Sequence, residues 1–202
     1  MVWNILAAAI LAVFYAVYLG KMLVQGRKGI HTDQIAKGKE KGRRYTVERL
    51  MKLATYSAVA AEILSICLDW SLFSGPVRGL GLLLGVWGDI LFALSVRTMR
   101  DSWRAGIAER DKTALVTDGV YRFSRNPAFL GFDLVYLGIL LMFFNPLLLA
   151  FSLFAAVMLH LQILQEEQFL SAVFGQSYLA YKKTVRRYWG RAGGENRAPN
   201  AG

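Results

Sequence analysis

Cysteine and histidine are nearly missing from this chain. One cysteine, Cys67, stands among 202 residues, which excludes an intramolecular disulfide framework and a cysteine-rich zinc site. Two histidines, His31 and His160, are too few and too differently placed for a histidine metal cluster, so no metal is expected. Charge is sparse as well: Asp, Glu, Lys and Arg make up 19% of the residues, below the roughly 25% of soluble domains. Hydrophobic residues make up 55%, gathered in long runs, and the mean hydropathy is +0.35. That composition excludes disorder and argues against an ordinary soluble domain. Negative charge is the scarcer sign, with 14 acids against 24 Lys and Arg and a net charge of +10. In a soluble chain such a balance suggests nucleic acid. Beside long apolar runs it marks loops that flank a membrane and face anionic lipid, so no nucleic-acid partner is expected.

A spanning helix needs about 20 mainly apolar residues. Val2 to Gly20, Met51 to Phe73, Leu80 to Val96, Ala128 to Phe144 and Leu147 to Leu164 each qualify. Asn145-Pro146 joins the last two so tightly that they must form an antiparallel hairpin. Backbone polar groups in lipid have to be satisfied internally, which makes these segments helices. The expected fold is all-α: an integral-membrane bundle of about five transmembrane helices, followed by a C-terminal interfacial amphipathic helix. Residues 1–189 read as one domain and 190–202, rich in Gly, Asn and Ala, as a disordered tail.

All but Arg78 of the 24 basic residues fall into three groups: Lys21 to Lys52, Arg97 to Arg125, and Lys182 to Arg197. Five spans put all three groups on one side. The positive-inside rule makes that side the cytoplasm, in an inner or plasma membrane, with the N-terminus outside. The first span lacks a basic leader and runs directly into Lys21, which favours an anchor over a signal peptide.

Four acids lie within the apolar segments: Glu62, Asp69, Asp89 and Asp133. Ionisable groups at membrane depth are costly and therefore functional candidates, although Asp69 stands near the outer end, within reach of the interface. Gly79, Gly81, Gly85 and Gly88 have the small-residue spacing that lets membrane helices approach closely.

Two stretches carry the chemistry. The first is LVTDGVYRFSRNPAFLG, Leu115 to Gly131. Its Thr117-Asp118-Gly119 is turn chemistry, and Pro127 after Asn126 reads as a helix start with an N-cap. That helix N-terminus and Arg125 favour a carboxylate or phosphate at the mouth. Alternatively, Arg122 and Arg125 snorkel to lipid headgroups. The second begins at Glu166-Glu167, where the fifth span ends, and continues to Trp189. Adjacent residues point about 100° apart on a helix, so one glutamate suits a cationic ligand while the other pairs with a basic side chain. Tyr178, Tyr181, Tyr188 and Trp189 suit an interface, and Lys182 to Arg187 suit anionic headgroups.

Together, LVTDGVYRFSRNPAFLG, a helical hairpin and EEQFLSAVFGQSYLAYKKTVRRYW resemble the isoprenylcysteine carboxyl methyltransferase and phospholipid N-methyltransferase superfamily. The resemblance is close over the C-terminal half and rests on hydropathy alone before it. It implies an integral-membrane methyltransferase that uses S-adenosylmethionine, drawn from the cytosol, on a lipophilic or lipid-linked acceptor drawn from the bilayer. It places Leu115, Val116, Gly119, Tyr121, Asn126, Glu166, Tyr178 and Tyr181 at the cofactor and gives catalytic roles to Arg125 and Glu167. It also implies that Glu167→Ala and Arg125→Ala abolish transfer while leaving folded protein. The chain departs from isoprenylcysteine enzymes at Thr113, Asn126 and Phe129, where those have histidine, histidine and tyrosine. Asn126 can hydrogen-bond a carboxylate but cannot act as a base. Two other readings stand beside this one: a noncatalytic membrane scaffold that keeps the fold, and a nicotinamide-dependent membrane reductase.

Overall fold

The computed structural model describes residues 1–37, 42–107 and 113–192. The tail beyond 192, including Arg197, and Lys39, Lys41, Arg110 and Lys112 lie outside the described residues. Among the described residues there are five α-helices and no strand: α1 (Val2–Arg27), α2 (Arg43–Cys67), α3 (Gly75–Met99), α4 (Pro127–Met142) and α5 (Pro146–Thr184). Four of them are long and apolar enough to cross a membrane, and α4, at 16 residues, is a shorter apolar helix. Side chains such as Ile5, Leu83, Trp87, Leu153 and Val157 are exposed on the spans. In water these would be a liability, whereas in a bilayer they form the lipid-facing surface. This is an integral-membrane, all-α protein.

Prolines set three of the starts. Pro76, Pro127 and Pro146 occupy the first turns of α3, α4 and α5, where a missing N–H costs nothing. Asn145 caps α5, its side chain accepting from Leu148 N at 2.9 Å and donating to Ser65 Oγ of α2 at 2.9 Å. The hairpin is thereby tied to α2.

The helix ends depart from the hydropathy bounds: α1 runs on to Arg27 and α3 to Met99, α4 stops at Met142, and α2 and α5 differ in ways that matter to the fold. α2 stops at Cys67, not Phe73. Asp69 adopts a left-handed φ of 46° and turns the chain, and its carboxylate meets Arg78 at 2.6 Å. Arg78 also donates to the carbonyl of Met142 at 2.6 Å, so the one basic residue outside the three groups is pinned by the turn and the α4 end. The segment expected as a separate interfacial helix forms the last turns of α5, set off by a break at Gly175 (φ 51°). Tyr178 and Tyr181 there are buried against protein, so they do not lie at the lipid interface, whereas Trp189 is exposed.

The core has two parts. One joins α1, α3 and α4, where Phe14 stacks on Phe92 with centroids 4.4 Å apart. The other joins α2 and α5 through Ala54, Ala58, Ala155 and Met158. α3 and α4 make the most extensive contact of any pair. The expected glycine packing accounts for this: Gly81, Gly85 and Gly88 face Gly138 and Gly131 backbone to backbone or against side chains too near to admit a methyl group.

Candidate functional site

The site begins with a roof over the basic end of the bundle. The segment after α1 and the segment after α3 run together, with Gln34 N donating to Ala105 O at 2.7 Å and Ala105 N to Thr32 O at 3.0 Å. Thr32 donates to the buried Gln25 at 2.6 Å, and Gln25 in turn donates to Trp103 O at 3.1 Å. Ala36 N donates to Glu48 Oε2 of α2 at 2.7 Å. Gly106 (φ 86°) is required, because a Cβ there would lie 2.8 Å from Ile35 N.

Beneath the roof lies a cavity of about 330 Å³. α1 contributes Tyr15 and Tyr18, and α2 contributes Lys52, Thr55 and Tyr56. α4 gives Phe129 and Phe132, and α5 gives Glu166. Asp33, Trp103 and Arg104 reach it from the roof. The cavity is aromatic-walled with a few separate charges, the usual character of a small-molecule site. Glu166 accepts from Gln162 Nε2 at 3.1 Å. Among the described residues, the buried side-chain carbonyl oxygens of Gln162 and Gln165 have no hydrogen-bond partner.

The neighbouring Glu167 points elsewhere, into a second feature beside the cavity. Arg125 Nη2 meets Glu167 Oε1 at 2.7 Å, and Arg187 Nη2 meets Oε2 at 2.9 Å. Asn126 Nδ2 donates to Glu167 Oε1 at 3.3 Å and to Arg187 O at 3.2 Å. The expected N-cap bond to α4 is not made; the Asn126 side chain is used on this hub instead. The remaining Arg125 donor, Nη1, bonds to the carbonyls of Lys182 (3.1 Å) and Val185 (3.3 Å). Both Glu167 and Arg125 side chains are almost wholly buried, at 4% and 6% exposure. The hydrogen bonds that Arg187 donates to Glu167 hold the pKa of its guanidinium above the ordinary value. Arg187 was expected at lipid headgroups; it is instead an ion-pair partner in this hub. No periodicity pointed to it, because it lies past the end of α5.

Arg187 belongs to a strap, residues 185–192, laid over the segment before α4. Arg125 N donates to Arg186 O at 3.1 Å and Gly190 N to Phe123 O at 2.7 Å. Trp189 stacks on Phe123, and Tyr188 is hydrogen-bonded to His160 Nδ1. Under the strap, Tyr181 Oη donates to Tyr121 O at 2.6 Å, and Leu115 packs against Tyr178 and Tyr181. Burial pushes the Tyr121 phenol up. Gly119 (φ 56°) lets this stretch sit against Thr98 at the end of α3, and Val116 is half-buried.

Of the sequence-expected cofactor residues, Glu166 therefore lines the cavity. Leu115, Val116, Gly119, Tyr121, Asn126, Tyr178 and Tyr181 do not line it, nor do Arg125 and Glu167. Asp89, Asp133 and Glu62 do not line it either. Sequence reasoning missed Lys52, Asp33, Arg104 and the α1 tyrosines, which follow no motif.

The fold and site define a membrane-embedded helical protein with an aromatic-walled, carboxylate-bearing pocket at its basic end. The sequence model of the isoprenylcysteine carboxyl methyltransferase (ICMT) family matches residues 81–172. The protein-S-isoprenylcysteine O-methyltransferase of Xenopus laevis is 30% identical over 109 residues, 52% of this chain and 38% of that protein. That of Dictyostelium discoideum is 25% identical over 135 residues, 63% of this chain and 57% of the relative. A probable protein-S-isoprenylcysteine O-methyltransferase of Oryza sativa subsp. indica is 34% identical over 112 residues, 54% and 59% of the two chains. The chain thus spans between 38% and 59% of the length of these relatives. These matches support the ICMT superfamily, as the two motifs did.

Proposed function

We propose that this protein transfers a methyl group from S-adenosylmethionine to a lipophilic or lipid-linked acceptor at the cytoplasmic face of an inner or plasma membrane. The observation that carries the reading is the position of Glu166: a carboxylate in an aromatic wall, within the segment matched to the family. The relatives' names, all protein-S-isoprenylcysteine O-methyltransferases, support methyl transfer as the reaction class.

The residues present fit such a cofactor. A sulfonium with an ammonium is cationic, and Glu166 with the faces of Trp103, Tyr18 and Tyr56 is a suitable donor set. When bound, the cofactor supplies an electrophilic methyl group. Glu166 offsets positive charge, and Gln162 fixes the carboxylate. The roof and aromatic walls shield part of the cavity from water, which strengthens that electrostatic contact. The Arg125–Glu167–Arg187 hub acts at one remove, holding α5, the strap and the α4 start in one geometry. Leu115, Val116, Gly119, Tyr121, Tyr178 and Tyr181 support the pocket from behind, with Asn126 joining them to the hub.

The geometry also bears on the acceptor. An amine must lose a proton, but Glu167 is bonded to two arginines and is a poor base. A carboxylate acceptor needs no base, and positioning carries the reaction. With Glu166 committed to the cofactor's cation, carboxyl methylation is the form this site suits.

Calorimetric titration of detergent-solubilised protein with S-adenosylhomocysteine tests the reading. Saturable binding is expected in the wild type. Glu166→Gln should weaken it about 10- to 100-fold, the loss of one charge-assisted contact, without lowering thermal stability. A folded wild type that binds no S-adenosylhomocysteine defeats the proposal. A C-terminal reporter fusion tests orientation: it should be active in the cytoplasm, and activity confined to the outside would reverse the topology.

A further inference from the structure

Glu166 and Lys52, two of the four charged residues in the cavity wall, have different surroundings. Glu166 has Gln162 as its hydrogen-bond partner, and its charged electrostatic neighbours are Glu48 and Arg44. Among the described residues the Lys52 ammonium has one ion-pair contact, Asp33, at the long distance of 4.0 Å, and lies 5.8 Å from the Tyr56 ring centre. Asp33 is itself committed, accepting from Ile35 N at 3.1 Å and pairing with Lys37 at 3.3 Å. Lys52 is thus a cation at a cavity wall whose protein partner is long and shared.

The arginine expected to orient an anionic acceptor is already used up. Arg125 is buried, and its Nε, Nη1 and Nη2 all bond to Glu167, Lys182 and Val185. Below Lys52 the wall turns apolar, with Met51, Phe132 and Leu159 lining it between α2, α4 and α5. A cation at the polar rim of an apolar cavity recognises an anionic head on an apolar body. Tyr15, Tyr18, Asp33, Met51, Lys52 and Tyr56 all lie before residue 81, outside the segment matched by the family.

We propose that Lys52 is a specificity-determining residue, which binds and orients the carboxylate of an amphiphilic acceptor while α1 and α2 shape the pocket for its apolar part. This deepens the methyl-transfer reading and rests on it for the word acceptor, but the binding site it names is testable alone. The cofactor's cationic part and the acceptor's anion are then held at separate points of one wall, Glu166 and Lys52. No covalent step is added; Lys52 acts by ion pairing, as a compact charge on a flexible stem.

The test uses the full chain in phosphatidylcholine nanodiscs, with empty nanodiscs as blank. The probes are dansyl-undecanoic acid and its methyl ester, followed by fluorescence. The wild type should bind the acid about tenfold more tightly than the ester, the gain from one charge-assisted contact. Lys52→Met keeps the stem and should abolish that preference, and Lys52→Arg should restore it. Asp33→Asn should preserve or increase it, because it frees the ammonium. A Lys52→Met variant that still prefers the acid overturns the proposal. So does an Asp33→Asn variant that loses the preference as fully, since Lys52 would then act only by holding the roof. An S-alkyl-cysteine carried through the same series separates a cysteine-linked carboxylate from a free fatty acid as the source of the anion. S-adenosylhomocysteine binding measured on the same samples keeps the two readings apart. Acid preference without cofactor binding sinks methyl transfer and leaves the Lys52 site standing; cofactor binding without acid preference does the reverse.

Discussion

Glu167→Ala is expected to destabilise the protein by about 3–5 kcal/mol, the typical cost of breaking a buried ion pair from one side. The motif resemblance implies a folded but inactive variant; the geometry implies a damaged fold. Removing the carboxylate leaves the Arg125 guanidinium buried, keeping only its bonds to the Lys182 and Val185 carbonyls. Arg187 loses both of its bonds to Glu167 at the same time. Arg187→Met should cost less, because that side chain is 32% exposed and Arg125 still neutralises Glu167. Thermal unfolding in detergent gives the ranking. Trypsin sensitivity around Arg186 and Arg191 reports whether the strap has lifted. Glu167→Gln should fall between, since the amide retains an acceptor for Arg125 but not the charge. A Glu167→Ala protein as stable as wild type would show that water already reaches the hub. The neighbouring Glu166→Gln provides the contrast: binding should fall while stability holds. Two adjacent glutamates would then be separated, one through ligand and the other through fold.

That separation was half legible in the sequence. The 100° step between neighbouring helix positions requires Glu166 and Glu167 to face different surroundings, and one to meet basic partners. It does not say which, because Arg187 reaches Glu167 from a non-helical strap with no periodic relation to it. The spans were legible for a different reason. A bilayer demands long apolar runs and internally bonded backbone, so hydropathy locates α1 to α5 almost unaided. It failed at the end of α2, where Trp70, Leu72 and Phe73 prolong the apolar run beyond the helix. There the left-handed turn at Asp69 and its bond to Arg78 decide the end. The roof was illegible. Thr32, Gln34 and Ala105 are joined by backbone bonds across α2 and α3, and nothing in their side chains announces the pairing. Lys52 read as the polar border of a span because the cavity wall from α1 and α2 carries no motif.

Gly138→Ala should be, with Gly81→Ala, among the most damaging of the small substitutions in the spans. A Cβ there would lie 2.6 Å from Gly85 N, 2.7 Å from Gly81 O and 2.8 Å from Gly85 Cα, all of it backbone. No rotamer can relieve that contact, so α3 and α4 must part. Overpacking by a methylene costs about 1–3 kcal/mol where side chains can yield, and this case belongs at or above the upper end. Gly85→Ala should be milder, since its new methyl meets the Ile10 Cδ1 at 2.7 Å, the far end of a flexible side chain. Gly79→Ala, with nothing within 4 Å, should be neutral or stabilising by up to about 1 kcal/mol through helix propensity. Thermal unfolding of the three variants in one detergent tests the order, and a Gly138→Ala protein matching Gly79→Ala would mean the two helices are not seated as closely as described. The consequence extends to the site, because α4 carries Phe129 and Phe132 in the cavity wall and begins at Asn126 on the hub. When α4 moves away from α3, both move with it. Partial loss of S-adenosylhomocysteine binding in Gly138→Ala, at a temperature where the protein remains folded, is the expected sign that close glycine packing sets the dimensions of the pocket.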